Sequence, residues 1–307
     1  MAVQTYGGLS AQQKTFYDRA LLERLLPKVV FLQHGQKRSI PKREGATINF
    51  RRFESLPVIT TPLTEGQPPS GSNLTITQIT ATVAGYGDYV VLSDLLDMAG
   101  IDPVATETVE AQGEQAAVSL DTIVRNVVAA GTNVLYAVGS ARNQITSDAV
   151  ITSLLVRKAR KIMARNNVKP AANNDYIAFI HPDAAFDLMG DSAWVNANQY
   201  AGSTQIFNGE LGKLHGIRFI ETTLAPIWTG AGSGGCDVYG TIVIGRDAYG
   251  IPDIAGSSKP ETIIKPLGSA GTADPLNQQS SCGWKVYLTA VRLQELAILR
   301  IEHAVSA

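Results

Sequence analysis

Gly230, Gly232 and Gly235 have the G-x-G-x-x-G spacing that cradles a dinucleotide pyrophosphate. That chemistry needs a helix directly after the third glycine, so that its N-terminal amides meet the phosphates. Here Cys236-Asp237-Val238-Tyr239 leads into the β-rich run Thr241-Ile242-Val243-Ile244, and the glycines are expected to form a surface turn. Gly212-Lys213 fails as a phosphate loop, because Phe207 stands where the first glycine belongs and Leu214 where a magnesium-ligating Ser or Thr belongs. His34, His181, His215 and His303 are scattered without metal-ligand spacing, and His181-Pro182-Asp183 reads as a helix start. Ser233 lies between Gly232 and Gly234, but Ala231 breaks the nucleophile-elbow pattern. Asp94 with Asp97, and Asp187 with Asp191, share helical faces and read as solvated surface. Cys236 and Cys282 form neither a disulfide framework nor a metal set. No catalytic residue, cofactor or metal is expected, and the chain is not read as an enzyme.

The strongest signal is charge placement. From Met1 to Phe53 ten basic residues face three acidic ones, a balance of +7, whereas Glu54 to Asp121 holds ten acidic residues and no Lys or Arg, a balance of −10. Complementary patches of this kind orient partners. The reading is self-assembly, with the basic arm of one copy on the acidic stretch of the next; a strip folded back on its own chain is the plainer alternative. The candidate contact residues are Arg19, Arg24, Lys37, Arg38, Lys42 and Arg43 against Glu107, Glu110 and Glu114. A net charge of −1 argues against a protein whose main task is gripping nucleic acid. With 307 residues, 45% hydrophobic and 17% charged, the chain holds enough apolar material for a large core of one to three domains. It has neither a leader pattern nor an apolar run of membrane-spanning length, so no membrane association is expected.

The elements that would carry these residues can be read from spacing. Ser10 and Gln13 open a helix to about Leu26, and Gly35 to Gly45 is a basic extended connector. Ala46–Phe53 and Leu74–Leu92 read as the two strands of a long hairpin arm, with Pro57, Pro62, Pro68 and Pro69 in a loose tip. Asp102-Pro103 starts a helix to Gly131, about 40 Å long, with Val109, Ala116, Leu120, Ile123, Val124 and Val127 as its apolar stripe. A further helix is expected over Asp148–Asn166, with Ile151, Leu154, Leu155, Ala159 and Ile162 inward. Strands follow at Tyr176–Ile180, Ile217–Glu221 and Tyr239–Gly245, with a short helix from Pro182 to Met189. An extended segment from Trp284 to Glu302 closes the chain and is expected to pair outside the 170–280 module.

A basic helical arm, a hairpin arm, an acidic spine helix, a glycine-rich α/β module and a returning strand, in that order, resemble the tailed-bacteriophage major capsid proteins. Local likeness to podophage-type coat proteins rests on Ile180-His181-Pro182-Asp183-Ala184-Ala185-Phe186-Asp187-Leu188, on Gly209-Glu210-Leu211-Gly212-Lys213-Leu214-His215-Gly216-Ile217-Arg218, and on Gly283-Trp284-Lys285 with Arg300-Ile301-Glu302. The resemblance implies an α+β chain of the Hong Kong 97-like capsid fold. Its parts would be an N-terminal arm (1–45), an extended loop (46–92), a peripheral domain (93–168 plus 283–307) with a spine helix over 103–131, and an axial domain (169–282). It also implies pentamers and hexamers in an icosahedral virion shell around double-stranded DNA, assembled in the host cytoplasm. Portal, scaffolding and decoration proteins are further candidate partners. Lysine crosslinking from the extended loop is not expected, since no lysine occurs between Lys42 and Lys158. An arm helix starting within ten residues of Met1 leaves no space for a cleaved scaffolding segment, so maturation is expected to be non-covalent. The alternatives are an encapsulin-like cargo compartment and, more remotely, an α/β enzyme using the 170–280 module.

Overall fold

The computed structural model describes residues 30–306 apart from 64, 70, 100–103, 172–173, 192–193, 195–209, 255–258, 270 and 272–273. The expected helix over Ser10–Leu26, with Arg19 and Arg24, lies outside the described residues, as does the Asp102-Pro103 start.

In chain order the first half runs α1 (Phe31–His34), β1 (Gln36–Ile40), β2 (Thr47–Phe53), β3 (Ile76–Thr82), β4 (Ala84–Ser93), α2 (Asp94–Ala99), α3 (Val104–Ala129), β5 (Val134–Tyr136), α4 (Ser153–Arg165), β6 (Tyr176–Ile180) and α5 (Pro182–Gly190). Then follow β7 (Glu210–Leu214), β8 (Ile217–Glu221), β9 (Ile227–Trp228), β10 (Val238–Ile244), β11 (Tyr249–Ile254), β12 (Glu261–Lys265), β13 (Gln279–Leu288), β14 (Val291–Arg292) and β15 (Ile298–His303).

Two sheets divide the body. One has the order β5-β15-β10-β6-β8-β7, with β9 beside β10. Its strand β6 is a continuous apolar run with every residue buried, which is the pattern of a strand covered on both faces. One cover is α4 and α5, through Leu155, Val156, Ala159, Met163, Ala184, Ala185 and Leu188. The other is α1 with the end of α3, through Phe31, Val124 and Val128 against Ile177, Phe179, Ile242, Ile244 and Ile298. The second sheet has the order β1-β11-β13-β12, with β4 on the other side of β13 and β14 beside β11. Its Trp284, Val286 and Leu288 pack on Ala116, Ala117 and Leu120 of α3.

The length of α3 follows from this. Its first half lies on the second sheet and its last turns lie on the first, so one 26-residue helix of about 39 Å ties both layers together. Burying each large side chain along it contributes roughly 1.5–3 kcal/mol, which sets the stripe rather than helix propensity as its main support. Gln112 Nε2 donates to the Cys282 carbonyl at 2.7 Å, and Arg292 donates to the Val127 carbonyl at 2.9 Å, fixing its rotation at both ends.

Several expectations needed correction. Leu74–Leu92 is not one strand. Ile76–Thr82 pairs with β2, then the chain breaks at Val83, and Ala84–Ser93 pairs with β13 over ten register positions. Alternation shows that a segment is extended but not which neighbour it chooses, and β13 lies nearly two hundred residues away. The fourth helix starts at Ser153 rather than Asp148, because the Thr152 hydroxyl accepts the Leu155 amide and caps it there. Its buried face is Leu155, Val156, Ala159 and Met163, and Leu154 is 57% exposed. The closing segment is broken by a 3-10 turn at Glu295–Ala297. Its first part, in β13, pairs with β4 outside the module as expected, and β15 pairs with β5 outside it on one side but with β10 inside it on the other, which buries all six of its residues. The glycine fingerprint forms the expected turn, Ser233–Gly235, and leads into β10.

Candidate assembly surfaces

The hairpin β2–β3 keeps perfect register from Thr47↔Thr82 to Phe53↔Ile76. Two strands alone have no interior. Between them residues 54–75 form no regular element among the described positions, and Leu56, Val58, Ile59, Leu63 and Leu74 are 55%, 88%, 75%, 75% and 56% exposed. Phe53 and Ile76 at the ladder end are 62% and 50% exposed. An apolar ribbon of this extent is a surface built to be covered.

A cleft of about 710 Å³ opens on the face of β4, β13 and β12 away from α3, lined by Gly85, Gly87, Tyr89, Gly283, Lys285 and Tyr287 among others. Gly87 is required there, since a Cβ would sit 2.5 Å from the Trp284 carbonyl oxygen. The Lys285 ammonium lies 4.6 Å from the Tyr287 ring centroid, a cation–π contact on the cleft wall.

Of the residues singled out for assembly, Lys37 and Arg38 lie on β1, and Lys42 and Arg43 in the turn after it; all four are exposed. Glu107, Glu110 and Glu114 lie on the first half of α3, with Glu107 and Glu114 exposed and Glu110 half-buried. β1 extends the β11 side of the second sheet, whereas α3 covers its β13 side. The two sets thus sit on different parts of one layer.

Asp121, counted in the acidic stretch, has another role. Its carboxylate is fully buried, and Oδ1 accepts the Val30 and Leu32 amides at 3.2 Å each, clasping the start of α1. The Tyr249 hydroxyl donates to the Phe31 carbonyl at 2.5 Å on the same turn. Burial pushes the Asp121 carboxyl up to about 6, against the pull of the backbone amides and of Arg125. A raised folded value means that the neutral acid is the form the fold favours. Its contribution is complete below the ordinary carboxylate value and is lost as pH rises through about 6. His303 acts in the opposite sense, since burial lowers it to about 4 and its contribution is lost as pH falls through that value. Asp121→Asn should therefore gain on the wild type by about 2.5 kcal/mol between pH 4 and pH 7.5. Urea midpoints of both proteins across that range measure the difference, and a difference constant with pH would refute the assignment.

The first sheet contains a buried charge cluster that spacing did not reveal. Glu302 is fully buried and receives Arg142 Nε at 2.8 Å, Arg142 Nη2 at 2.7 Å and Arg300 Nε at 2.7 Å. The hydrogen bonds to Glu302 hold the Arg142 guanidinium above its usual range. It stacks 3.8 Å from the Trp228 ring centroid. Arg300 also donates to the carbonyls of Ala129 and Gly131, so the second positive charge rests on the negative end of α3. Beside it His303 Nδ1 faces the Ala304 carbonyl at 2.8 Å, an acceptor only, so Nδ1 carries the hydrogen and Nε2 accepts from the Thr241 hydroxyl at 2.9 Å. Charged residues inside the apolar run Ile298-Leu299-Arg300-Ile301-Glu302 were the available signal.

The fold also brings Ser153 Oγ to 3.0 Å from His215 Nε2, with Asp191 nearby. Asp191 accepts the Ser153 amide at 2.8 Å, and Ser153 is buried at a helix start. This is helix capping, not a nucleophile relay. Asp183 and Asp187 are likewise engaged, with the Tyr239 hydroxyl at 3.1 Å and the Ser306 amide at 2.9 Å. Among the described residues no group of three or more His, Cys, Asp or Glu is placed to hold a metal, and no helix is long and apolar enough to cross a membrane.

The described residues thus present a two-stranded arm, one long helix joining two sheets, and a three-layer module with buried ionic cross-links. The phage capsid protein family model matches residues 76–301. The chain belongs to the phage capsid protein family. Solved structures show the same fold at low sequence identity. The capsid of Ralstonia phage GP4 superposes with a TM-score of 0.69 at 11% identity, covering 91% of this chain and 92% of that one. The Cyanophage Pam1 capsid gives 0.69 at 14% identity and covers 92% of each chain. The acid-stable capsid of Helicobacter pylori bacteriophage KHP30 gives 0.69 at 15% identity, covering 90% and 91%. No curated protein matches by sequence. As a capsid protein of the Hong Kong 97-like fold, the chain is a structural component of the phage shell, not an enzyme.

Proposed function

We propose that this capsid protein assembles as pentamers and hexamers into an icosahedral shell around double-stranded DNA, within the host cytoplasm, with portal, scaffolding or decoration proteins as further partners. The carrying observation is the exposed apolar hairpin arm, which has no core of its own and needs another chain to cover it. The cleft over β4 and β13 is a second surface open to a neighbour. On this reading residues 1–45 act as an arm, 46–92 as an extended loop, 93–168 with 283–307 as a peripheral domain and 169–282 as an axial domain. Purified particles test the proposal by their contents. Hollow icosahedral particles holding DNA are expected; particles filled with a protein cargo would make the chain an encapsulin-like compartment instead.

The basic residues Arg19, Arg24, Lys37, Arg38, Lys42 and Arg43 are proposed to meet Glu107, Glu110 and Glu114 of a neighbouring subunit. Exposed pairs contribute at most about 1 kcal/mol each, so several must act together. Lys37→Glu/Arg38→Glu/Lys42→Glu should raise the concentration needed for assembly at least about tenfold, since 1.4 kcal/mol corresponds to that factor. Adding Glu107→Lys/Glu110→Lys/Glu114→Lys to the same chain should restore it. Light scattering against concentration reads both, and no rescue by the second set would refute the pairing.

A further inference from the structure

Helix α4 carries five cations, Arg157, Lys158, Arg160, Lys161 and Arg165, and no acidic residue. All five are exposed, opposite the buried face of Leu155, Val156, Ala159 and Met163. Among the described residues none of them makes a salt bridge. On the same layer, Asp183, Asp187 and Asp191 hold Tyr239, Ser306 and Ser153.

This arrangement is unfavourable for the isolated subunit. Arg157–Arg160 and Lys158–Lys161 are like-charge pairs at i,i+3, and Arg157–Lys161 and Lys161–Arg165 at i,i+4, each costing a few tenths of a kcal/mol. The helix dipole offsets only the cation of the last turn, Arg165. The field is felt next door. Burial and then the Arg157 and Arg160 guanidiniums lower the His215 imidazole, so it stays neutral beside them. Folding alone gives no reason for such a stripe, whereas a polyanion relieves its repulsion.

We propose that the outer face of α4 binds the phosphate backbone of duplex DNA, making the α4–α5 layer the side of the subunit turned to the packaged genome. Arg157 to Arg165 span about 12 Å along the helix axis, enough to follow several successive phosphates. Its exposed residues Leu154, Arg157, Lys158, Arg160, Lys161, Ala164 and Arg165 include no aromatic side chain on which unpaired bases could stack. Contacts of this kind are independent of base sequence. The net charge of −1 for the whole chain is compatible, since a local stripe suffices. This assignment rests on the reading that the shell encloses DNA.

The test uses unassembled full-length subunits and a 30-base-pair duplex of arbitrary sequence, with affinity read by fluorescence anisotropy between 50 and 200 mM KCl. Five phosphate contacts predict an affinity loss of about 500-fold over that range, and Arg157→Gln/Lys158→Gln/Lys161→Gln should cut the loss to about 12-fold. Removing like charges should leave the thermal midpoint equal or higher. If the triple variant folds poorly, Arg157→Gln/Lys161→Gln should still flatten the salt slope by about two contacts. An unchanged slope overturns the assignment, including the case in which assembly drops instead because an acidic face of a second copy is the true occupant. Wild-type particles full of DNA with an unchanged slope would sink only the role of α4, whereas particles without DNA would sink the genome reading itself.

Discussion

Replacing Glu302 by alanine is expected to destabilise the subunit by about 3–5 kcal/mol, the cost of stripping a buried charge of its partner. Two guanidiniums would remain, Arg142 stacked on Trp228 and Arg300 buried on the carbonyls that end α3. Arg300 is held inside by the β15–β10 pairing, whereas Arg142 keeps 30% of its side chain exposed, so the cost falls mainly on Arg300. Total stabilities of about 5–15 kcal/mol make this enough to leave much of the protein unfolded. Glu302→Gln keeps the volume and one acceptor oxygen but not the charge, and should fall between the two. Urea titration of soluble subunits followed by tryptophan fluorescence measures both, with Trp228 in the cluster as a direct reporter. A loss under about 1 kcal/mol for the alanine variant, within the range of surface substitutions, would show that the cluster is not a structural tie.

Deleting Pro57 to Gly71 should abolish particle formation while changing subunit stability by no more than about 1 kcal/mol. The removed residues with described side chains are all exposed, so few contacts within the chain are lost. Residues 54–56 and 72–75 would still join Phe53 to Ile76, and the ladder back to Thr47↔Thr82 would keep its register. What disappears is exposed apolar surface, which on the proposed reading a neighbouring copy covers. Assembly also stabilises by mass action, because a neighbour binds the folded subunit and not the unfolded chain. Wild-type particles should accordingly melt well above wild-type subunits, and the deletion variant should melt with the subunits. Electron microscopy and calorimetry of the two preparations decide it; particles of normal yield from the shortened chain would remove the arm from the assembly mechanism.

Much of this architecture was legible before any coordinates. The α3 stripe follows from 3.6-residue spacing, and Val109, Ala116, Leu120 and Val124 are buried as that spacing requires, with Val128 in place of Val127 at the end. The strand Tyr176–Ile180 and the helix start at His181-Pro182 were also plain, because Pro182 fixes the first turn and His181 Nδ1 accepts the Asp183 amide at 3.3 Å. The glycine fingerprint was rejected on the absence of a following helix, and the chain does continue into β10. These signals are local: each depends on residues within a few positions of one another.

What sequence could not supply was partnership across long separations. Residues 74–92 do not show which partner each half takes: both are extended, but Ile76–Thr82 pairs with β2 and Ala84–Ser93 with β13. Asp121 read as one more acid on a negative stretch until the turn at Val30–Leu32 was placed over it. Glu302 was noticed only as part of a resemblance, and its meaning came from Arg142, which lies 160 residues away. The sequence by itself thus determined element types, the unlikelihood of catalysis and the segregation of charge, because spacing, turn chemistry and composition act over short range. The tertiary structure decided which strands pair, which carboxylates are buried and which cations are left facing outward, because burial and ion pairing depend on segments the chain order does not bring together.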